Sequence, residues 1–194
     1  MRNLFKRLAR HFFIQRNRLL LKINKVNRGR NCRIFDSFYL RNKGKIMIGN
    51  DFLLLSGSGY NPLSRNIKSA IATDYGACIK IGNHVHCSSV CIWARKSIII
   101  GNNVKIGADT LIIDSNAHSL NYEDRRDDYL DAKNANHKEV VIGDDVLIGT
   151  RCIILKGVHI GSRSVIGAGS VVTKNIPEDC IAAGNPCEII RKKI

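Results

Sequence analysis

Aliphatic side chains recur at every sixth position near the C-terminal end of the chain, and few backbones can carry that step. The series is Ile142, Ile148, Ile154, Ile160, Ile166 and Val172, with glycine following four of its members at Gly143, Gly149, Gly161 and Gly167. The same step returns in Ile100-Gly101, Ile106-Gly107 and Ile112, with isolated members at Ile48-Gly49 and Ile81-Gly82. Four residues after the aliphatic position stands a small or β-branched residue, as at Val104, Thr110, Val146, Cys152, Val158, Ser164 and Ser170. An α-helix turns every ~3.6 residues and cannot hold a strict period of six. A plain strand alternates every two residues and has no need of glycine at fixed intervals. A coil of three flat faces, ~18 residues per turn, satisfies both features. The aliphatic residue points inward, and glycine allows a close backbone approach at the turn. Successive coils then pair as parallel strands.

The pattern lapses twice. Residues 56–78 lack it and contain Gly57, Gly59, Pro62 and Gly76, and residues 119–138 lack it and are strongly polar. The second stretch reads as a loop thrown out from the prism, the kind of element that carries function on a rigid scaffold. The first residues read as a helix, with Leu4, Leu8, Phe12, Leu19 and Ile23 at helical spacing and basic residues around them. Of the net charge of +15, residues 1–45 hold +13, from fourteen Lys or Arg against Asp36 alone. Such a segment suits an anionic membrane surface, through residues 1–24, or a helix packed on the prism with its charges in water. A cap at this end would also protect the open edge of the first coil. No run approaches the ~20 apolar residues of a membrane span. Arg7, Arg10, Arg16 and Arg18 break any secretory-signal core, so the expected location is the cytoplasm or the inner face of the membrane. Nucleic acid is not an expected partner, because no aromatic-interleaved stacking motif accompanies the charge. The seven cysteines are odd in number and form no CxxC pair, and read as buried free thiols.

The run from Val140 to Ile194, with its pieces IGAGSVVTKNIP and AAGNPCEIIR, and the segment IIDSNAHS before the polar loop, resembles the hexapeptide-repeat O-acetyltransferases. That family includes galactoside and maltose acetyltransferases and the sugar O-acetyltransferases of capsule and lipopolysaccharide synthesis. The resemblance implies a left-handed parallel β-helix. The resemblance covers roughly residues 80–194, and the sequence reading divides the chain into a basic amphipathic helical segment (1–30), the β-helix (31–176) with its protruding loop (119–138), and a tail (177–194) that leaves the repeat at Pro177 and folds back on the prism. The resemblance implies acetyl-CoA as donor, a sugar or lipid-linked glycan as acceptor, no metal, and a homotrimer whose sites lie between neighbouring subunits.

On the same resemblance His118 is the expected general base, a role that suits a side chain titrating near neutrality. Asp114 and Glu123 are candidates to orient its imidazole. Thr150, Ala168 and Thr173 are expected along the coenzyme groove, with Lys174 and Arg191 on its phosphates. Ser88 and Ser89 stand about where relatives bind the acceptor through asparagine, and Arg125, Arg126 and Tyr129 of the loop are further candidate contacts. Glu188 replaces an arginine and Leu147 a tryptophan of galactoside-type members, which argues against galactoside or maltose as acceptor. Two alternatives stay open: a serine or other small-molecule acetyltransferase of the same fold, and a zinc enzyme like the prism-shaped carbonic anhydrases. The latter would draw on His84, His86 and His118.

Overall fold

The computed structural model describes residues 2–192, and the side chains of residues 8–192. Met1, Lys193, Ile194 and the side chains of residues 2–7, that of Leu4 included, lie outside the described residues. The chain forms a left-handed parallel β-helix of six coils with a helix, α1 (Arg2–Ile23), at its first end. The first face stacks Asn27–Arg28, Lys45–Ile48, Cys78–Ile81, Ser97–Ile100, Val140–Ile142 and His159–Ile160. The second stacks Arg33–Phe35, Leu53–Leu55, His86–Ser88, Lys105–Ile106, Leu147–Ile148 and Val165–Ile166, and the third runs from Tyr39–Asn42 to Val171–Val172.

Side chains alternate in and out along each short strand, as in Lys45–Ile48, where Ile46 and Ile48 are buried. One column of inward residues, Ile48, Ile81, Ile100, Ile142 and Ile160, is therefore stacked by the parallel register. The glycines of the repeat are needed for close approach. A Cβ on Gly107 would stand 2.5 Å from the Gly149 carbonyl carbon, and one on Gly149 would stand 2.5 Å from the Ala168 nitrogen. Between the first and second faces a polar ladder links the turns. Arg30 N donates to Asn50 Oδ1, Asn50 N to Asn83 Oδ1, Asn83 N to Asn102 Oδ1, Asn102 N to Asp144 Oδ1, and Asp144 N to Ser162 Oγ.

Both lapses in the repeat are insertions at edges of the prism. The first is shorter than its sequence suggests, because Ala70–Thr73 already belongs to the third face and the excursion is limited to residues 56–69. It leaves at the edge between the second and third faces. The second leaves at the edge between the third and first faces and contains a short helix, α2 (Asp128–Asn134), capped by the Asp127 carboxylate. At the far end Cys180–Ala183 adds one more parallel strand to the second face, and Glu188–Lys192 folds back antiparallel on it.

Helix α1 covers the edge of the first coil. Asn17 is buried and its Nδ2 donates to the carbonyls of Ile34 and Asp36, which have no coil above them to bond. Leu21 joins the core, and the Arg10 guanidinium lies 4.6 Å above the Phe35 ring. The residues singled out by helical spacing face the other way. Leu8, Phe12, Leu19 and Ile23 are exposed, while Asn17 and Leu21 are buried on the opposite side.

All seven cysteines are free; Cys32, Cys87, Cys152, Cys180 and Cys187 are buried, and Cys78 and Cys91 are half-buried. Burial pushes the Cys32 thiol up to about 11 and raises Cys87, Cys91, Cys152 and Cys187 as well. These side chains therefore act as small apolar groups and are poor nucleophiles.

Candidate active site

The third-to-first edge carries His118. The neck of its loop is closed by Lys138 N donating to the Asp114 carbonyl and by a bridge between Ser115 and His137. Below the neck the Asp114 carboxylate is fully buried and accepts from three successive backbone N–H groups, those of Arg95, Lys96 and Ser97, at 2.7, 2.7 and 2.6 Å. Ala117, just before His118, holds a left-handed φ of 63°, and its carbonyl accepts from Arg95 Nη1. This locally strained turn carries the next side chain out of the loop neck.

His118 is exposed, and its Nδ1 lies 2.6 Å from Asp131 Oδ2 in the first turn of α2. The carboxylate only accepts, so Nδ1 donates, and in the neutral tautomer this leaves the lone pair on Nε2. Asp131 Oδ1 accepts from Ser119 N, and Ser119 Oγ donates to Asp124, which also accepts from Asn134 Nδ2. The hydrogen bond from His118 and that from Ser119 N hold the Asp131 carboxyl below the ordinary carboxylate range. The same is true of Asp124, through Ser119 and Asn134. An oriented neutral imidazole beside an ionised carboxylate is a competent proton acceptor.

Asp131 therefore takes the place expected of Asp114 or Glu123. Asp114 is committed to the backbone of the preceding coil, and Glu123 is exposed and receives one long bond, 3.3 Å, from its neighbour Tyr122. The signal for Asp131 was the acidic start of a short helix, DDYLD, which sets a carboxylate one turn from the cap. Arg125 Nη1 bonds the Ser119 carbonyl, and the Arg126 and Lys133 cations stack on Tyr122 and Tyr129.

The second-to-third edge carries a separate cleft of about 500 Å³, lined by Thr150, Arg151, Ala168 and Gly169 and walled by Pro62, Leu63 and Arg65 of the first insertion. Thr150 Oγ1 donates to the Ala108 carbonyl, which fixes its rotamer. Asp109 bonds Arg65 at 2.8 Å and lies 4.0 Å from Arg151 Nε. Leu63 and Arg65 were not singled out in the sequence, because their positions in the cleft depend on how the insertion folds over two lower coils; Arg151, in a turn of the coil itself, was not singled out either. Ser88 and Ser89 lie on this edge but are buried pins of the insertion. Ser88 Oγ accepts from Asn61 Nδ2, and Ser89 Oγ accepts from Gly57 N and donates to the Ile67 carbonyl. Their hydroxyls are thus engaged within the chain, against the expectation of acceptor binding.

Thr173 and Lys174 are exposed on the same edge as His118, two coils further along. Arg191 is exposed on the last strand, opposite Ile181, and Leu147 and Glu188 are exposed as well. A single chain thus places His118 on one edge of the prism and Thr150 with Ala168 on another. Of the three histidines of the zinc alternative, His118 lies on a different edge from His84 and His86. His84 sits in a turn 3.7 Å from Asp51, and His86 Nδ1 accepts from Lys105 Nζ at 2.6 Å on the second face. Among the described residues no group of three or more His, Cys, Asp or Glu side chains could hold a metal ion.

A family profile described as a hexapeptide repeat of succinyl-transferase matches residues 139–174. Over 167 residues the chain is 31% identical to WbbJ of Escherichia coli K12, named for O-acetyl transfer in lipopolysaccharide biosynthesis, covering 84% of this chain and 80% of that protein. It is 35% identical over 127 residues to the galactoside O-acetyltransferase of the same organism, covering 65% of this chain and 60% of the relative. A solved hexapeptide-repeat acetyltransferase from Vibrio cholerae O1 biovar eltor, complexed with acetyl coenzyme A, matches with a TM-score of 0.54. The identity is 34%, over 66% of this chain and 69% of that one. The chain spans 58% of the length of other curated relatives that it matches.

Proposed function

The chain belongs to the hexapeptide-repeat acetyltransferases, and on that premise we propose that it transfers an acetyl group from acetyl-CoA to a sugar hydroxyl of a surface polysaccharide or its lipid-linked precursor. The observation that carries this reading is the imidazole of His118, held by Asp131 through Nδ1 and open at Nε2. His118 accepts the proton of the acceptor hydroxyl as its oxygen attacks the thioester carbonyl. The C–S bond breaks, and the imidazolium returns its proton to the departing sulfur. Holding donor and acceptor together makes a covalent acyl-enzyme unnecessary.

The second-to-third edge fits a thin thiol cofactor. Thr150, Ala168 and Gly169 are small, Leu63 and Pro62 supply an apolar wall, and Arg65 and Arg151 supply positive charge. Lys174, next to Thr173 on the third-to-first edge, and Arg191 on the last strand are the proposed phosphate contacts. Because His118 and the cleft occupy different edges of one prism, we place each complete site between two copies. His118 comes from one and the Thr150–Ala168 groove from its neighbour, in a homotrimer.

The test is thioester consumption by the purified protein across free sugars, nucleotide sugars and lipid-linked glycans, with His118→Ala in parallel. We expect turnover with a glycan acceptor, lost in the variant while coenzyme A still binds. Undiminished turnover in the variant removes His118 from the reaction, and turnover with serine alone replaces the sugar by a small amine or hydroxy acid.

A further inference from the structure

Helix α1 has two faces, and only one is accounted for by the prism. Asn17 and Leu21 are buried against the first coil, and Phe13, Ile14 and Leu20 are half-buried on the same side. On the other side Leu8, Phe12, Leu19 and Ile23 follow one another at intervals of four, seven and four residues, so they form one stripe. They are 60%, 61%, 58% and 67% exposed. Arg16 borders the stripe on one side and His11, Arg18 and Lys22 on the other, and all four are exposed. Residues 2–23 contain no acidic residue. Beside the stripe Arg18, Lys22 and Arg28 line a groove of about 570 Å³ together with Leu19. At 22 residues the helix is long enough to cross a membrane but not apolar enough to do so.

We propose that the outer face of α1 is a docking surface for an anionic lipid bilayer. The apolar stripe enters the boundary between headgroups and acyl chains, and Arg16, Arg18, Lys22 and Arg28 meet lipid phosphates. An apolar stripe between cationic margins is complementary to such a surface, where hydrocarbon lies beneath negative charge. Because α1 caps the end of the solenoid, docking stands the prism on its first coil with the axis away from the membrane. The coil of Thr150 is the fifth on the second face, four strand spacings of ~4.8 Å from the first, so the candidate cleft stands roughly 20 Å above that end. A lipid-linked glycan anchored in the same membrane would have to extend past that height to reach the cleft. The docking does not depend on the proposed reaction.

The full chain is sedimented with phosphatidylcholine vesicles and with vesicles of phosphatidylcholine and phosphatidylglycerol. We expect binding to the second alone, weakening as salt is raised. In Leu8→Gln/Phe12→Gln/Leu19→Gln/Ile23→Gln we expect binding to fall at least about tenfold, with the thermal midpoint and oligomeric state unchanged. Four results would overturn the proposal. They are no binding by the unaltered chain, undiminished binding by the variant, dissociation of its subunits, and preference for double-stranded DNA over vesicles at physiological salt. The third would mean that a second copy covers the stripe. Acetyl transfer is assayed on a soluble acceptor in the same samples, so failure of docking and failure of the proposed reaction are read separately.

Discussion

His118 Nδ1 donates to Asp131 Oδ2 across 2.6 Å, and the two residues belong to different elements, a loop neck and the first turn of a short helix. The tautomer of the imidazole thus depends on α2 being folded. His118→Ala is expected to lower kcat by ~10²–10⁴-fold. Asp131→Asn keeps the shape but removes the charge and leaves one acceptor oxygen for two donors, His118 Nδ1 and Ser119 N, and is expected to lower kcat by roughly ten- to a hundredfold with KM for acetyl-CoA little changed. Steady-state kinetics of the two variants check this.

Asp114 is a structural residue of the same edge. Asp114→Ala leaves three part-buried N–H groups without their acceptor, and is expected to cost about 2–3 kcal/mol. Glu123→Ala, at an exposed position, is expected to be neutral within ~0.5 kcal/mol. Urea denaturation midpoints of the two variants measure the contrast.

The two-edge arrangement predicts complementation. His118→Ala spoils one half of every site, and Ala168→Trp fills the other half by blocking the cleft. Each homo-oligomer is expected to be inactive. Random mixed trimers, made by co-expression, are expected to recover about a quarter of the activity, since a site needs an intact half from each of two neighbours. No recovery in purified mixed trimers would place the whole site within one subunit.

His86 should make stability pH-dependent. Burial first, and Lys105 second, hold its pKa below the ordinary histidine value, with Arg33 and His84 acting in the same direction and Asp51 against them. The folded state therefore favours the neutral ring, and the unfolded chain binds the extra proton first. Its contribution is fully present above pH ~6.5 and is lost as pH falls toward the lower folded value. His86→Gln is expected to reduce the drop in thermal midpoint between about pH 7.5 and about pH 5.5.

What the sequence makes legible follows from what repeats. The inward isoleucines and the glycines at backbone contacts recur because every coil poses the same packing problem. The first coil, Asn27–Asn42, escapes the pattern because it meets α1 on one side and not another coil, so Cys32, Ile34 and Phe38 fill its interior without an Ile-Gly step. Ala70–Thr73 escapes because Ile71 is its only large aliphatic residue. In the site, His118 stands at a recognisable boundary of the repeat, whereas Asp131 reaches it only after the loop folds, and Arg65 enters the cleft only because Ser88 and Ser89 pin its segment down. In α1, spacing shows which side chains share a face but not which face packs. The buried side is the one anchored by a polar residue, Asn17, and an apolar count does not find it.

The ladder that runs from Arg30 to Ser162 has a consequence for how such a protein can vary. Every rung reads only its immediate neighbour, and both long excursions leave the thread at other corners, so they grow or shrink without disturbing it. A one-residue slip within a strand would turn its inward side chains outward. The body can therefore be lengthened or shortened by complete turns alone, as a screw is. The axial offset between imidazole and cleft is thus a discrete quantity, adjustable in increments of ~4.8 Å and not continuously.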